Sequence, residues 1–207
     1  SSAASDVYKR QAKERMEQAK LIAGDEPIMR LVPVRPRKYG LVTTGNEVFY
    51  GRIEDTFSPV VQAKLAEFGC EMAAHVILND DHEKITAAIN DMLAQGCEMV
   101  LCTGGMSVDP DDNTPGAIKK SGANIISYGA PVLPGAMFLL GYFDDGMPVM
   151  GLPGCVMYAK RTIFDLLLPR LLADDPITAE DIARLGEGGL CLGCAECHWP
   201  NCGFGHC

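Results

Sequence analysis

Apolar positions along this chain recur with two periods, and the two periods alternate. Residues 41–44, 71–78, 99–102, 124–127, 137–143 and 148–151 are short runs rich in apolar and β-branched side chains, and they predict strands. Between them lie helical patterns. Residues 55–68 put Phe57, Val60, Val61, Leu65 and Phe68 on one face and end at Gly69. Residues 81–95 put Ile85, Ala88, Ile89 and Leu93 inward before Gly96. A short helix is predicted at 115–121 and a long one at 155–172. Such alternation with short connections predicts an α/β fold of three layers (α/β/α) around a mainly parallel sheet. Ligands of such sheets bind beyond the carboxyl ends of the strands, where the strand order reverses. Thr44-Gly45-Asn46-Glu47, Gly104-Gly105 and Leu152-Pro153-Gly154 all fall at predicted strand ends, so they should converge on one crevice.

The two ends of the chain break this pattern. Val7, Ala12, Met16 and Ala19 predict an amphipathic connector helix over 6–23, with Ser5 or Asp6 as cap and Gly24 as stop. Pro33 and Pro36 then hold 30–38 extended. The basic residues Arg30, Arg35, Arg37 and Lys38 read there as a solvated linker, though such charges also suit phosphate. Asp174-Asp175-Pro176 marks a second break, followed by a capped helix at 178–185 and a hinge at Gly186-Glu187-Gly188-Gly189. The resulting organisation is a connector over 1–38, a central domain over 39–173 and a tail over 174–207. The chain opens at Ser1 without an initiator Met, and it reads as a fragment or processed form that has lost an N-terminal part.

Composition narrows the function classes. A hydrophobic content of 47% and a mean hydropathy of +0.06 suit a packed core. No apolar run reaches the roughly 18 residues that a membrane helix needs, and no secretory signal opens the chain, so a cytoplasmic protein without a membrane partner is expected. A net charge of −9 argues against nucleic acid, which demands a basic footprint. An anionic small molecule remains open to such a chain through helix N-termini, local cations or a divalent metal.

The segment from Thr103-Gly104-Gly105 through Ser107, Asp109, Asp111, Asp112 and Asn113 to Thr114-Pro115-Gly116 holds the densest chemistry. Paired glycines after a buried strand permit a sharp turn and close backbone approach to a ligand. Asn113 or Thr114 is placed to cap a helix that has Pro115 in its first turn, and the free amides there suit a phosphate. Three carboxylates beside a phosphate seat would repel it, so the pairing makes sense with Mg²⁺ between them.

This loop resembles the Thr/Ser-Gly-Gly loop of the molybdopterin-binding domain shared by molybdopterin adenylyltransferase, molybdopterin molybdenumtransferase and gephyrin. Thr43-Thr44-Gly45-Asn46-Glu47 is similar to that family's Thr-Gly-Asp-Glu strand end, and Gly151-Leu152-Pro153-Gly154 to its Leu-Pro-Gly-Asn-Pro turn. The resemblance covers 39–172 in the family's own order. It implies catalytic roles for Asp112, Glu47 and Asp55, and a pterin-phosphate cradle from Gly104, Gly105 and Ser107. With the flanking motifs, Thr44, Gly45, Thr103, Thr114, Pro153 and Gly154 complete the expected binding set. Asn46 stands where the family has Asp, and Cys155-Val156 where it has Asn-Pro. The resemblance implies molybdopterin or its adenylated form as ligand, Mg²⁺ as cofactor, nucleotide and molybdate as further partners, and a homo-oligomer, dimer or trimer. The expected activity is molybdate insertion or adenylylation, with insertion favoured by Glu47 and Ser107-Val108. The other reading is a carrier or sensor without turnover.

Nine cysteines complete the inventory. Cys70, Cys97 and Cys102 read as packing residues. Cys155, at the start of the predicted long helix, reads either as a small buried filler or as a thiolate favoured by the helix dipole. His75 lies in a strand and reads as a satisfied structural histidine, and His82 as a surface residue. Cys191, Cys194, Cys197, Cys202 and Cys207 crowd the tail with His198 and His206 between them. Three cysteines at successive x2 spacing with a fourth nearby predict iron–sulfur ligation or a zinc site, with Cys191, Cys194, Cys197 and Cys202 as ligands. The molybdopterin-domain resemblance does not extend to this tail.

Overall fold

The computed structural model describes residues 12–25, 29–107 and 112–206. The predicted helix start before residue 12, the acidic neighbours Asp109 and Asp111, the Val108 position and Cys207 lie outside the described residues. The chain divides into two compact units, Ser1–Pro33 and Val34–Cys207. In the first, helix α1 (Lys13–Ala23) buries none of its residues, and Gly24 closes it by donating to the Lys20 carbonyl.

The second unit is built on six strands: β1 (Lys38–Thr44), β2 (Glu71–Leu78), β3 (Met99–Thr103), β4 (Asn124–Tyr128), β5 (Leu139–Tyr142) and β6 (Pro148–Leu152). Their order is β2-β1-β3-β6-β5-β4, parallel throughout except for β5. β3 is buried along its whole length, as its unbroken Met-Val-Leu-Cys-Thr run requires of a central strand. β2, at the edge, alternates exposed and half-buried positions.

Helix α2 (Asn46–Phe49) is a single turn after β1, and α3 (Phe57–Ala66) returns the chain to β2. α4 (His82–Ala94) and α5 (Thr114–Lys120) cover one face of the sheet, where Ile85, Ile89 and Ile118 pack on Val42, Val100 and Val149. On the other face, α3 and α6 (Ile163–Leu172) set Val61, Leu65, Phe164 and Leu168 against Tyr39, Leu41, Leu101 and Leu140. The predicted three-layer α/β architecture is therefore present. Among the described residues no helix is long and apolar enough to cross a membrane.

Three local expectations are corrected. The helix predicted over 155–172 is two pieces, a 3-10 turn at Gly154–Met157 and α6. Thr162 restarts the helix through a capping box with Asp165, which outweighs the continuous apolar periodicity. The second half of the basic linker is tied down: Arg35 donates its amide to the Leu172 carbonyl at 2.8 Å, and Arg35 and Arg37 both pair with Asp174. The glycines at 186–189 are packed and do not form a loose hinge. Leu185–Gly188 is a 3-10 turn that follows helix α7 (Ala179–Arg184), and a β-carbon on Gly189 would lie 2.1 Å from the Pro131 carbonyl oxygen. These glycines serve close backbone approach.

Candidate functional site

The parallel register aligns Thr43 with both Ile77 and Thr103, and Thr103 with Leu152. The carboxyl ends of β1, β2, β3 and β6 therefore share one edge of the sheet. From β1 the chain crosses outward to β2 and then back past β1 to β3, so the strand order reverses between β1 and β3. The crevice that opens at such a reversal is the ligand position of this architecture.

Two of the predicted motifs meet at that point. Gly104 and Gly105 both have positive φ, +83° and +53°, which the turn after β3 demands. A β-carbon on Gly104 would lie 2.1 Å from the Thr44 carbonyl oxygen, and one on Gly105 would lie 2.8 Å from Thr114 Oγ1. Thr44 Oγ1 and Thr114 Oγ1 are 3.2 Å apart and form a buried hydrogen bond that joins the end of β1 to the start of α5. Gly45 donates to the Leu78 carbonyl at 3.2 Å, which ties in the end of β2.

Asp80, which no sequence motif marks, locks the loops together. Its carboxylate accepts the Asn46 amide at 3.1 Å, and its carbonyl accepts the Asn113 side chain at 2.8 Å. Asn113 is thereby not a side-chain cap for α5, and Thr114 spends its hydroxyl on Thr44. Among the described residues, the first amides of α5 are left without a side-chain acceptor. This corrects the capping expectation while keeping Pro115 in the first turn.

Asp112 stands beside this joint, half-buried. Its Oδ2 is shielded from solvent and has no hydrogen-bond partner among the described residues. The Thr103 hydroxyl, fully buried, is likewise unpartnered among them. Tyr128, at the end of β4, reaches across to donate to the Ser107 carbonyl at 3.0 Å. Its phenol is pushed above the ordinary tyrosine value, first by burial and second by the nearby Asp112 charge. The edge strand β4 comes near the loop only through the folded strand order, so no local signal marks Tyr128. Ser107 itself is exposed.

The remaining predicted residues belong to the neighbouring elements. Glu47 is exposed on α2, and its carbonyl accepts the Arg52 and Ile53 amides. Asp55 caps α3: it accepts the Phe57 and Ser58 amides at 2.9 and 3.0 Å and also the Ser58 hydroxyl. Ser58 and Thr43 then satisfy His75 Nε2, at 3.1 and 3.0 Å. His75 is thus the satisfied structural histidine expected. His82 packs its ring edge against Gly116, half-buried rather than on the open surface. Pro153 and Gly154 follow β6 at the same edge of the sheet. Cys155 sits in the 3-10 turn and not at the head of a long helix, and burial raises its thiol above the usual range. A dipole-stabilised thiolate is therefore not what this position provides.

The tail is docked on the α3/α6 face by Phe204, which is 3% exposed and belongs to the core of that face. Leu190 forms a parallel bridge with Leu133, and Cys191 donates to the Leu133 carbonyl at 2.8 Å. Cys191, Cys194, Cys197 and Cys202 line a single cavity of about 350 Å³ together with Trp199 and Phe204. Among the described residues, no three His, Cys, Asp or Glu side chains converge closely enough to hold one metal ion.

Comparison with known proteins agrees with the geometry. The family model described as "Probable molybdopterin binding domain" matches residues 40–173. A molybdopterin molybdenumtransferase of Synechococcus elongatus is 28% identical over 160 residues, which is 72% of this chain and 38% of that protein. A CinA-like protein of Mycobacterium tuberculosis is 36% identical over 75 residues, 36% of this chain and 17% of its own length. The chain thus spans about two fifths or less of these relatives. Among solved structures, the molybdopterin biosynthesis enzyme MoaB of Thermus thermophilus superposes with a TM-score of 0.53 at 21% identity, covering 68% of this chain and 98% of that one. MogA superposes with a TM-score of 0.55 at 16% identity, covering 68% and 100%. With the loops of β1 and β3 joined at the sheet's reversal point and the family model spanning the whole α/β core, the chain belongs to the molybdopterin-binding domain family of molybdenum cofactor biosynthesis.

Proposed function

We propose that this chain binds molybdopterin at the β1/β3 crevice and acts on it in a Mg²⁺-dependent step, molybdate insertion ahead of adenylylation. The observation that carries this reading is Asp112: a shielded carboxylate oxygen without a partner among the described residues, beside two glycines whose missing side chains leave the backbone bare. An orphaned buried carboxylate is costly unless a cation or donor meets it. Asp112 fits a Mg²⁺ ion that keeps most of its waters, and such an ion would neutralise phosphate charge next to this carboxylate.

The chain's own groups do the rest. Gly104, Gly105 and the free amides opening α5 seat the phosphate, Thr44 and Thr114 fix the floor, and Ser107 faces the solvent side. Glu47, exposed on α2, serves in this reading as a second acidic group. Asp55 acts as a positioning residue, since its carboxylate is committed to the start of α3. Pro153 and Gly154 bound the crevice at β6. The Cys191–Cys202 segment adds a metal-binding annex. A homo-oligomer, dimer or trimer, completes the proposal.

The second reading, a carrier or sensor without turnover, is favoured by Asn46, which contributes its backbone amide to Asp80 and no carboxylate to the crevice. One assay separates the two. The purified chain is given adenylated molybdopterin, Mg²⁺ and molybdate, or molybdopterin with ATP, and nucleotide release or consumption is followed. Turnover that falls about 100-fold or more in Asp112→Ala, with pterin binding kept within a few-fold, supports the enzyme. Binding without turnover in the parent chain makes it a carrier.

A further inference from the structure

The cysteine cavity holds chemistry that the pterin crevice does not use. We infer that Cys191, Cys194, Cys197 and Cys202 ligate a [4Fe–4S] cluster within it.

The first argument is placement. Four cysteines from one short segment line one cavity of about 350 Å³, although three of the four residues are exposed. Thiolates this dense repel one another and oxidise readily unless a cation holds them. A zinc ion needs four donors within about 2.3 Å of one point. The described residues provide no such convergence, even for three groups. A cubane makes a different demand. Each thiolate binds its own iron at a separate corner, so the ligands stand apart around a volume instead of meeting at a centre. Four cysteines at x2, x2 and x4 spacing, distributed around one cavity, suit the second demand.

The surroundings agree. Trp199, Phe204 and Leu192 give the lining an apolar character, one of the features that tune such clusters. Four thiolates on a cluster core carry a net negative charge, and Lys160 and Arg161 line the same cavity. Lys160 donates to the Ala195 carbonyl at 3.2 Å, inside the cysteine segment, while the Arg161 guanidinium stacks on Trp199 at 4.6 Å. Both cations are therefore fixed at the wall by the segment itself. Pro153 and Cys155 of the β6 turn border a neighbouring cavity that also includes Leu190 and Cys191. The cluster would thus sit beside the third loop of the pterin crevice.

The test is anaerobic reconstitution of the purified chain with ferrous iron, sulfide and a thiol reductant, followed by desalting. About four irons and four acid-labile sulfides per chain are expected, with brown charge-transfer absorption and a paramagnetic signal after one-electron reduction. Cys194→Ser and Cys197→Ser should each lower retained iron by half or more, whereas Cys155→Ser should retain it all. Circular dichroism of each variant, compared with the parent, confirms that the α/β core persists. A colourless chain that binds one zinc and retains no iron overturns the inference, and so does iron retention that is indifferent to both substitutions. Iron and sulfide are measured without pterin, so this outcome is independent of the crevice reading.

Discussion

Gly104 lies so close behind Thr44 that a β-carbon there would come within 2.1 Å of the Thr44 carbonyl oxygen. Two loops far apart in sequence are thereby pressed into one surface at the sheet's reversal point. Backbone meets backbone, so neither side can yield by rotating a side chain. Gly104→Ala also forces an L-residue to φ +83°. The substitution should destabilise the chain by about 2–4 kcal/mol in urea unfolding and weaken pterin binding. Gly146→Ala makes the control: its φ is also positive, but nothing lies within 4 Å of its β-carbon position, so it should cost only about 1 kcal/mol. Equal losses in the two variants would show that φ alone governs position 104.

Tyr128 reports on Asp112. Burial and then the Asp112 charge both disfavour the phenolate, so the folded-state pKa lies above the unfolded one. The stabilisation linked to this proton is complete below the unfolded value, near 10, and is lost as pH rises through the folded one. Asp112→Asn removes the anionic neighbour and should move the Tyr128 titration downward, though not fully to the ordinary value, because burial persists. Carbon-13 NMR of ring-labelled tyrosine follows it directly. A titration that stays put in Asp112→Asn would separate the two residues.

Asp165 is the polar keystone of the α3/α6 face. Its carboxylate accepts Lys64 Nζ at 2.6 Å, Arg161 at 3.1 Å and the Thr162 amide at 2.7 Å, with Lys64 and Asp165 side chains only 11% and 4% exposed. Asp165→Ala removes the capping box and strands a buried ammonium, at a cost of about 3–5 kcal/mol in chemical denaturation. Lys64→Met combined with Asp165→Leu should recover part of that loss, since no unpaired Lys64–Asp165 charge then remains. A double variant as unstable as Asp165→Ala would place the whole effect in the cap.

The legible parts of this molecule are those written in periodicity. β2 alternates along its whole length, and α4 shows its inward Ile85 and Ile89 as spacing predicts. The parts that mislead are those where one residue outweighs a pattern. Thr162 splits the helix predicted over 155–172, although Thr-x-x-Asp is a capping signature in plain view. The Gly188-Gly189 pair reads as flexibility because composition cannot distinguish a loose glycine from a crowded one. In the crevice, local motifs reveal Gly104, Gly105 and Thr114, while Asp80 and Tyr128 escape them. Their roles come from strand order and loop packing, which no window of sequence contains.

The docking of the tail has an entropic side. Leu190 is held by its bridge to Leu133 and Phe204 by the core, so both ends of the cysteine segment are already fixed before anything binds. Folding of the α/β core has met the cost of closing that loop. A guest in the cavity then needs only local side-chain ordering from the segment, which favours tight capture by preorganisation rather than by many contacts. Loosening the far anchor, for instance at Phe204, would return that ordering cost to the binding step itself.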